Sequence, residues 1–352
     1  MGSEIQTQTF SRLETAMVEE IADQTFSFPP DGLARMLSPK TPKRGIEAAG
    51  KLLPLAQYDC LVDGQPFLAA LDDVVAQSKT FTPRPAGSCG LASYPSLAKF
   101  LTDCVEACHN ALDRRHEFPV RQERWYGNLE FTVLRGTVGD CVDHASPLQL
   151  DITGGKGISA FGEEQLYWKP PPERPAHRIT LPVEVKNNWV DMVSQAATHA
   201  RSLFSANPMR TFALVLAFNQ EQNTLRFLVF HHGDLTASEE CDITTRGGLK
   251  EVARLFLTLA SWGTAEEAGF VTCCNHTKYL LPGDQDGTSH VSAEVEGVIS
   301  RHLCARGRMT FVSRLRLPAR VYPAASKPLR TVTTSRENGE RTVGRFSLLS
   351  DG

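Results

Sequence analysis

The segment TFALVLAF at 211–218 is apolar almost without a break. A strand with one wet face alternates apolar and polar residues, so an unbroken run of this length predicts a strand covered on both faces. LRFLVFHH at 225–232 has the same character and lies beyond the turn-forming stretch Gln220 to Asn223, which predicts a second strand beside the first. Strands of this kind need helices over them, and three segments have the required spacing. In the first, Tyr94, Leu97, Phe100, Leu101, Cys104, Val105, Cys108 and Leu112 recur at three- and four-residue steps. In the second, Trp189, Met192, Val193, Ala196, Ala197, Ala200, Leu203 and Phe204 do the same, and Asn207-Pro208 is placed to stop the helix. The third is GLKEVARLFLTLASW at 248–262. RWYGNLEFTVL at 124–134, LQLDIT at 148–153 and TLPVEVK at 180–186 have strand composition. The order helix, three strands, helix, two strands, helix predicts an α/β fold with a mixed β-sheet flanked by helices.

Several function classes are excluded at this level. The 352 residues include 41% hydrophobic and 22% charged side chains, a balance that suits a globular chain rather than a fibrous or wholly disordered one. No apolar run reaches the roughly 18 to 20 residues a membrane span needs, and the N-terminal residues lack a basic segment followed by an apolar one. The nine cysteines are an odd number and scattered, unlike a disulfide scaffold, so reduced thiols and an intracellular, unsecreted protein of cytoplasm or nucleus are expected. The net charge of -3 hides an asymmetry: from Arg301 onward stand eleven Lys/Arg and three acids, Glu337, Glu340 and Asp351. General attraction to a nucleic-acid backbone is therefore expected mainly in the tail.

The chemistry is expected in two of the predicted strands. In LPVEVK, alternation turns Leu181, Val183 and Val185 to one face, and Glu184 and Lys186 to the other. Applied to LQLDI, the same rule puts Leu148, Leu150 and Ile152 together in the core and sends Asp151 the opposite way. If the strands pair, two carboxylates and one ammonium converge. Two carboxylates suit Mg²⁺ or Mn²⁺, hard cations that prefer oxygen ligands and substrate phosphates, with the Val185 carbonyl as a further ligand. Lys186 would orient water or neutralise charge developing on a phosphate. Gln195 and His199, four apart on the following helix, share one face and are expected to flank the site.

The arrangement Asp151, then Glu184-Val185-Lys186, then a helix carrying Gln195 resembles the PD-(D/E)XK, or restriction-endonuclease-like, nuclease superfamily over roughly residues 94 to 232. The stretches LPVEVKNNW, QAATHARSLFSANPMRTFALVLAFN, LRFLVFHHGDLTAS and GLKEVARLFLTLASWGTAEEAGF are similar to the region preceding the kinase domain in fungal-type protein kinases of basidiomycetes. The resemblance implies a Mg²⁺-dependent nuclease domain acting on nucleic acid, with Asp151, Glu184, Lys186 and Gln195 as catalytic residues and Asp151, Glu184 and Val185 at the metal. The aspartate is preceded by Leu150, with Pro147 further back, so the first half of the motif is degenerate. GRMTFVSRLRLP at 307–318 is similar to the start of the kinase domain, yet no HRD-type loop or DFG-type metal motif follows it in the chain, and phosphotransfer is not expected.

This organisation divides the chain into a helical, irregular N-terminal region at 1–90, a nuclease-like domain at 91–270, a connecting segment at 271–322 and a flexible tail at 323–352. Glu106 on the first amphipathic helix is a candidate third carboxylate, and Arg201 and Arg210 are expected at a solvated rim. Cys273-Cys274 with His276 lacks the second pair a zinc finger needs, and His231 to Asp234 is expected to form a turn. Thr41-Pro42-Lys43-Arg44 resembles a proline-directed phosphorylation site, although a solvated turn is the better reading of it. Two alternatives to an enzyme stand beside these expectations: a non-catalytic regulatory or binding module on the nuclease-like scaffold, and a truncated kinase relative without activity.

Overall fold

In chain order the elements of the computed structural model are β1 (Thr25–Phe28), α1 (Pro30–Leu37), β2 (Lys40–Pro42), β3 (Tyr58–Cys60), α2 (Gln65–Gln77) and α3 (Tyr94–Asp113). There follow β4 (Leu129–Val133), β5 (Thr137–Val138), β6 (Leu148–Gln149), β7 (Ile152–Lys156), β8 (Leu181–Val185), α4 (Trp189–Ala206), β9 (Phe212–Asn219) and β10 (Thr224–His231). Next come β11 (Leu235–Ser238), β12 (Cys241–Asp242) and α5 (Arg246–Ala260), then β13 (Lys278–Pro282), β14 (His290–His302), β15 (Thr310–Arg316), β16 (Val332–Thr334) and β17 (Arg345–Phe346). The structure describes residues 25–42, 58–83, 93–134, 137–138, 148–158, 166–170, 173–174, 177–207, 210–231 and 234–270, and beyond these the five strands β13 to β17.

The apolar run at 211–218 forms the middle of the main sheet, as its composition requires. Eight strands make this sheet, in the order β1, β11, β10, β9, β8, β7, β4, with β12 pairing to β10. It is mixed: β8 and β9 run parallel, as do β1 and β11, and the other pairs are antiparallel. A parallel pair cannot be joined by a tight turn, and α4 is the crossover between β8 and β9. Along β9, Leu214, Leu216 and Phe218 face a core shared with residues of α1, α2, α3 and α5. Ala213, Val215 and Ala217 face a second core with α4. Small residues on that side meet Ala196, Ala197 and Ala200 of α4, so helix and sheet approach closely. Each large apolar side chain buried in these cores contributes about 1.5–3 kcal/mol.

Local signals set the helix ends. Asn188 caps α4, its side-chain oxygen accepting the Val190 N–H at 2.8 Å, and Asn207 follows the last helical residue. Thr245 caps α5 by accepting the Gly248 N–H at 3.1 Å. Gly248 has no alternative, since a Cβ there would lie 1.9 Å from the Asp242 carbonyl oxygen.

The span expected as a helical N-terminal region adds a strand to the main sheet through β1 and two helices to the first core through α1 and α2. The segment expected as one strand, LQLDIT, is two. β6 pairs with β5, the chain bends at Asp151, and β7 pairs with β4 and β8. Leu150 and Ile152 therefore do not share a face: Leu150 joins the α4 core and Ile152 the other. The bend breaks the two-residue period on which the expectation rested. In the span expected as a connecting segment and flexible tail, β13 to β17 form a five-stranded antiparallel sheet. No helix among the described residues is long and apolar enough to cross a membrane.

Candidate functional site

The antiparallel ladder of β7 and β8 pairs Ile152 with Val183, and one position beyond it Asp151 stands beside Glu184. The expected convergence of Asp151, Glu184 and Lys186 is thus present. Leu181, Val183 and Val185 are in the first core, and Glu184 turns the other way, toward α4, where its side chain is 1% exposed. A carboxylate so deep requires polar partners. His199 of α4 supplies one, its Nε2 lying 2.8 Å from Glu184 Oε2. Lys186 Nζ lies 3.1 Å from Glu184 Oε1, an ion pair that engages the second carboxylate oxygen.

Asp151 is half-buried and held from two sides. Its Oδ2 accepts the Val185 N–H at 3.2 Å, and the side chain of Tyr94, the first residue of α3, hydrogen-bonds to it. Burial, and then the neighbouring Glu184 charge, push the Asp151 carboxyl above its ordinary range; Lys186, the Val185 N–H and Tyr94 only partly offset this. For Lys186 burial works against the charge, but the attraction of Glu184, Asp151 and Asp191 outweighs it and raises the pKa. Lys186 is an ammonium at neutral pH, one-third exposed, and marks the side on which the cluster meets solvent.

The other expected residues separate. Gln195 is half-buried on α4 and its side chain makes no hydrogen bond among the described residues; its carbonyl accepts the Thr198 hydroxyl at 2.7 Å. Val185 meets the site through its N–H rather than through an observed carbonyl contact. Glu106 is not part of the cluster: it is exposed and forms a two-pronged ion pair with Arg121. α3 reaches Asp151 through Tyr94 instead. Arg201 and Arg210 are not at a solvated rim but buried, at 9% and 4% exposure. Arg210 lies over the Phe270 ring, 4.7 Å from its centre, and burial lowers its pKa. His231 and Asp234 approach to 4.0 Å; Cys273, Cys274 and His276 lie outside the described residues, as do Lys43 and Arg44.

One residue escaped the sequence reading. Trp168 stacks on His199 with ring centres 5.9 Å apart and planes 28° from parallel, and it is 2% exposed. The strand-like bridge between Tyr167 and Arg178, made by Tyr167 N–H to His177 O and Ile179 N–H to Tyr167 O, both 2.9 Å, fixes it just before β8. An aromatic residue preceding a proline-rich loop was the available signal.

Oxygen donors are the right chemistry for a hard divalent cation. Two mutually repelling carboxylates are what such a cation would relieve, so the donor set of Asp151 and Glu184 fits magnesium or manganese. Among the described residues no group of three or more His, Cys, Asp or Glu is placed to hold a metal, so backbone, water or substrate oxygens would complete the set, as is usual for Mg²⁺. Comparison of the chain with protein-family models, with curated proteins and with solved structures finds no match in any of the three.

Proposed function

We propose that the end of the β7–β8 ladder is a Mg²⁺-dependent site for hydrolysis of nucleic-acid phosphodiesters. The observation that carries this reading is the convergence of two carboxylates, Asp151 and the buried Glu184, with the Lys186 ammonium 3.1 Å from Glu184 Oε1. Asp151 and Glu184 would hold the metal, with the Val185 carbonyl as a further ligand. When bound, the metal polarises the phosphodiester and lowers the pKa of a water nucleophile.

The protein residues divide the remaining work. Lys186, kept protonated by its acidic neighbours, cannot serve as a base; it neutralises charge on the phosphate or orients the attacking water. Gln195 lies on the same helix one turn before His199 and would support the substrate side. The resemblance of Asp151, Glu184-Val185-Lys186 and Gln195 to the PD-(D/E)XK pattern supports the same assignment and a restriction-endonuclease-like core, as does the parallel β8–β9 pair with α4 between them.

The test is cleavage of single- and double-stranded DNA and RNA with Mg²⁺ or Mn²⁺, comparing wild type with Glu184→Ala and Lys186→Ala. Loss of cleavage in both variants is expected. Equal cleavage by all three proteins, or by none, would refute the proposal.

One observation favours a second reading, a non-catalytic regulatory or binding module on this scaffold. Glu184, His199 and Trp168 are almost wholly buried, and a network so buried holds α4 on the sheet whether or not it does chemistry. That reading requires Glu184→Ala to lower stability with no cleavage or metal binding to lose.

A further inference from the structure

The hydrogen-bonded partner of Glu184 on α4 has no place in the chemistry above, and its geometry asks for one. His199 is 2% exposed. Its Nε2 is 2.8 Å from Glu184 Oε2, while Nδ1 is buried with no hydrogen-bond partner among the described residues. A carboxylate oxygen can only accept, so Nε2 carries the proton and donates. Trp168 stacks on the ring face.

We propose that His199 is the positioning residue of the metal site: by binding Oε2 of Glu184 it fixes the carboxylate so that Oε1, on the side of Lys186, is the oxygen left for a divalent cation. The inference rests on the reading of Asp151 and Glu184 as metal ligands. Without His199 the carboxylate is held only through Oε1 and is free to turn about its last bond, so the placement of Oε1 is lost. Fixing a ligand through its outer oxygen commonly contributes about 10- to 100-fold in metal affinity. Ala217 stands opposite Glu184 in the parallel ladder and is 1% exposed; its small side chain leaves the room in which the His199 ring reaches the carboxylate.

The experiment is titration of the full chain with Mn²⁺, followed by the electron paramagnetic resonance signal of the free ion, with thermal unfolding recorded for each protein. Asp151→Asn and Glu184→Gln test the underlying site, and both should abolish tight binding. His199→Leu should weaken Mn²⁺ binding about 10- to 100-fold. His199→Gln, whose amide N–H can take the place of Nε2–H, should restore most of that affinity, and Trp168→Phe, which keeps a stacking ring, should bind as wild type does. Should Asp151→Asn and Glu184→Gln bind as tightly as wild type, the metal site itself fails, and this inference with it. Should those two lose the ion while His199→Leu keeps it, the metal site stands and the role of His199 is overturned. Equal losses in His199→Leu and His199→Gln would make the ring a packing element and also overturn it. Should His199→Leu fail to fold, the Gln and Trp168→Phe variants decide the matter on the same criteria.

Discussion

Asp151→Asn should stabilise the protein while removing its metal affinity. The wild-type carboxylate is half-buried, beside the buried charge of Glu184, and its pKa is raised by that burial and that charge. A carboxyl that titrates higher in the folded than in the unfolded chain makes the folded state bind more protons, so stability falls as pH rises through that interval. At neutral pH the penalty is present; it fades as pH falls through the raised pKa and is gone below the ordinary carboxylate range, about pH 4. Asparagine removes the charge and keeps an oxygen for the Val185 N–H. Because Asp151 is part exposed, water screens some of the repulsion, and a gain of about 0.5–1 kcal/mol is expected, at the lower end of what relieving an unfavourable charge yields. In a chain of this size that is a rise in Tm of about 1–4 °C. Paired melts of wild type and variant at pH 7 and near pH 4 measure it. The difference should be positive at pH 7 and shrink toward zero in acid. A lower Tm at pH 7, or a gain that persists in acid, would refute the electrostatic reasoning.

Three further outcomes are expected. Ala217→Leu forces a large side chain between β9 and α4 beside Glu184, and should lower stability by about 1–3 kcal/mol in urea unfolding while loosening Mn²⁺ binding. His109, buried against the Tyr126 carbonyl, has its pKa lowered to about 4 by burial and by Arg121. Its neutral form is favoured by the fold, so stability is full above about pH 6.5 and is lost by about 3 kcal/mol as pH falls toward 4; His109→Gln should flatten that part of the stability profile. Thr245→Ala removes the cap on α5 and should lower the unfolding free energy by about 1 kcal/mol without affecting metal binding.

The elements of this fold with strong periodicity were legible in the sequence. The unbroken run at 211–218 and the helical stripes at 94–112, 189–204 and 248–262 are the strands and helices observed, with ends shifted by one or two residues. They were legible because each must bury a face, and burial writes its period into the chain. The site was legible as far as side-chain alternation holds, which is why Glu184 and Lys186 were found together. It failed at Leu150, where a bend resets the period, and at Glu106, where an arginine more than a dozen positions away captures the carboxylate. Gln195 and His199 both lie on the helix face expected to flank the site, and only tertiary contact shows that His199 is the one bonded to Glu184. The two buried arginines were not legible as core residues, because nothing local distinguishes a buried polar group with a partner from an exposed one.

The parallel pairing of β1 with β11 brings together residues from the two ends of the main sheet's sequence. A fragment cut at 91–270, the span that a reading of motifs alone would choose, would leave β11 without its neighbour and α5 without α1 and α2. Such a fragment would carry every residue of the candidate site and yet expose an open sheet edge and a bare apolar helix, a combination prone to aggregation. During synthesis the first strand emerges long before its partner, so closing that edge is a late and slow event. The face that carries the candidate site thus depends for its solubility on residues that take no part in it.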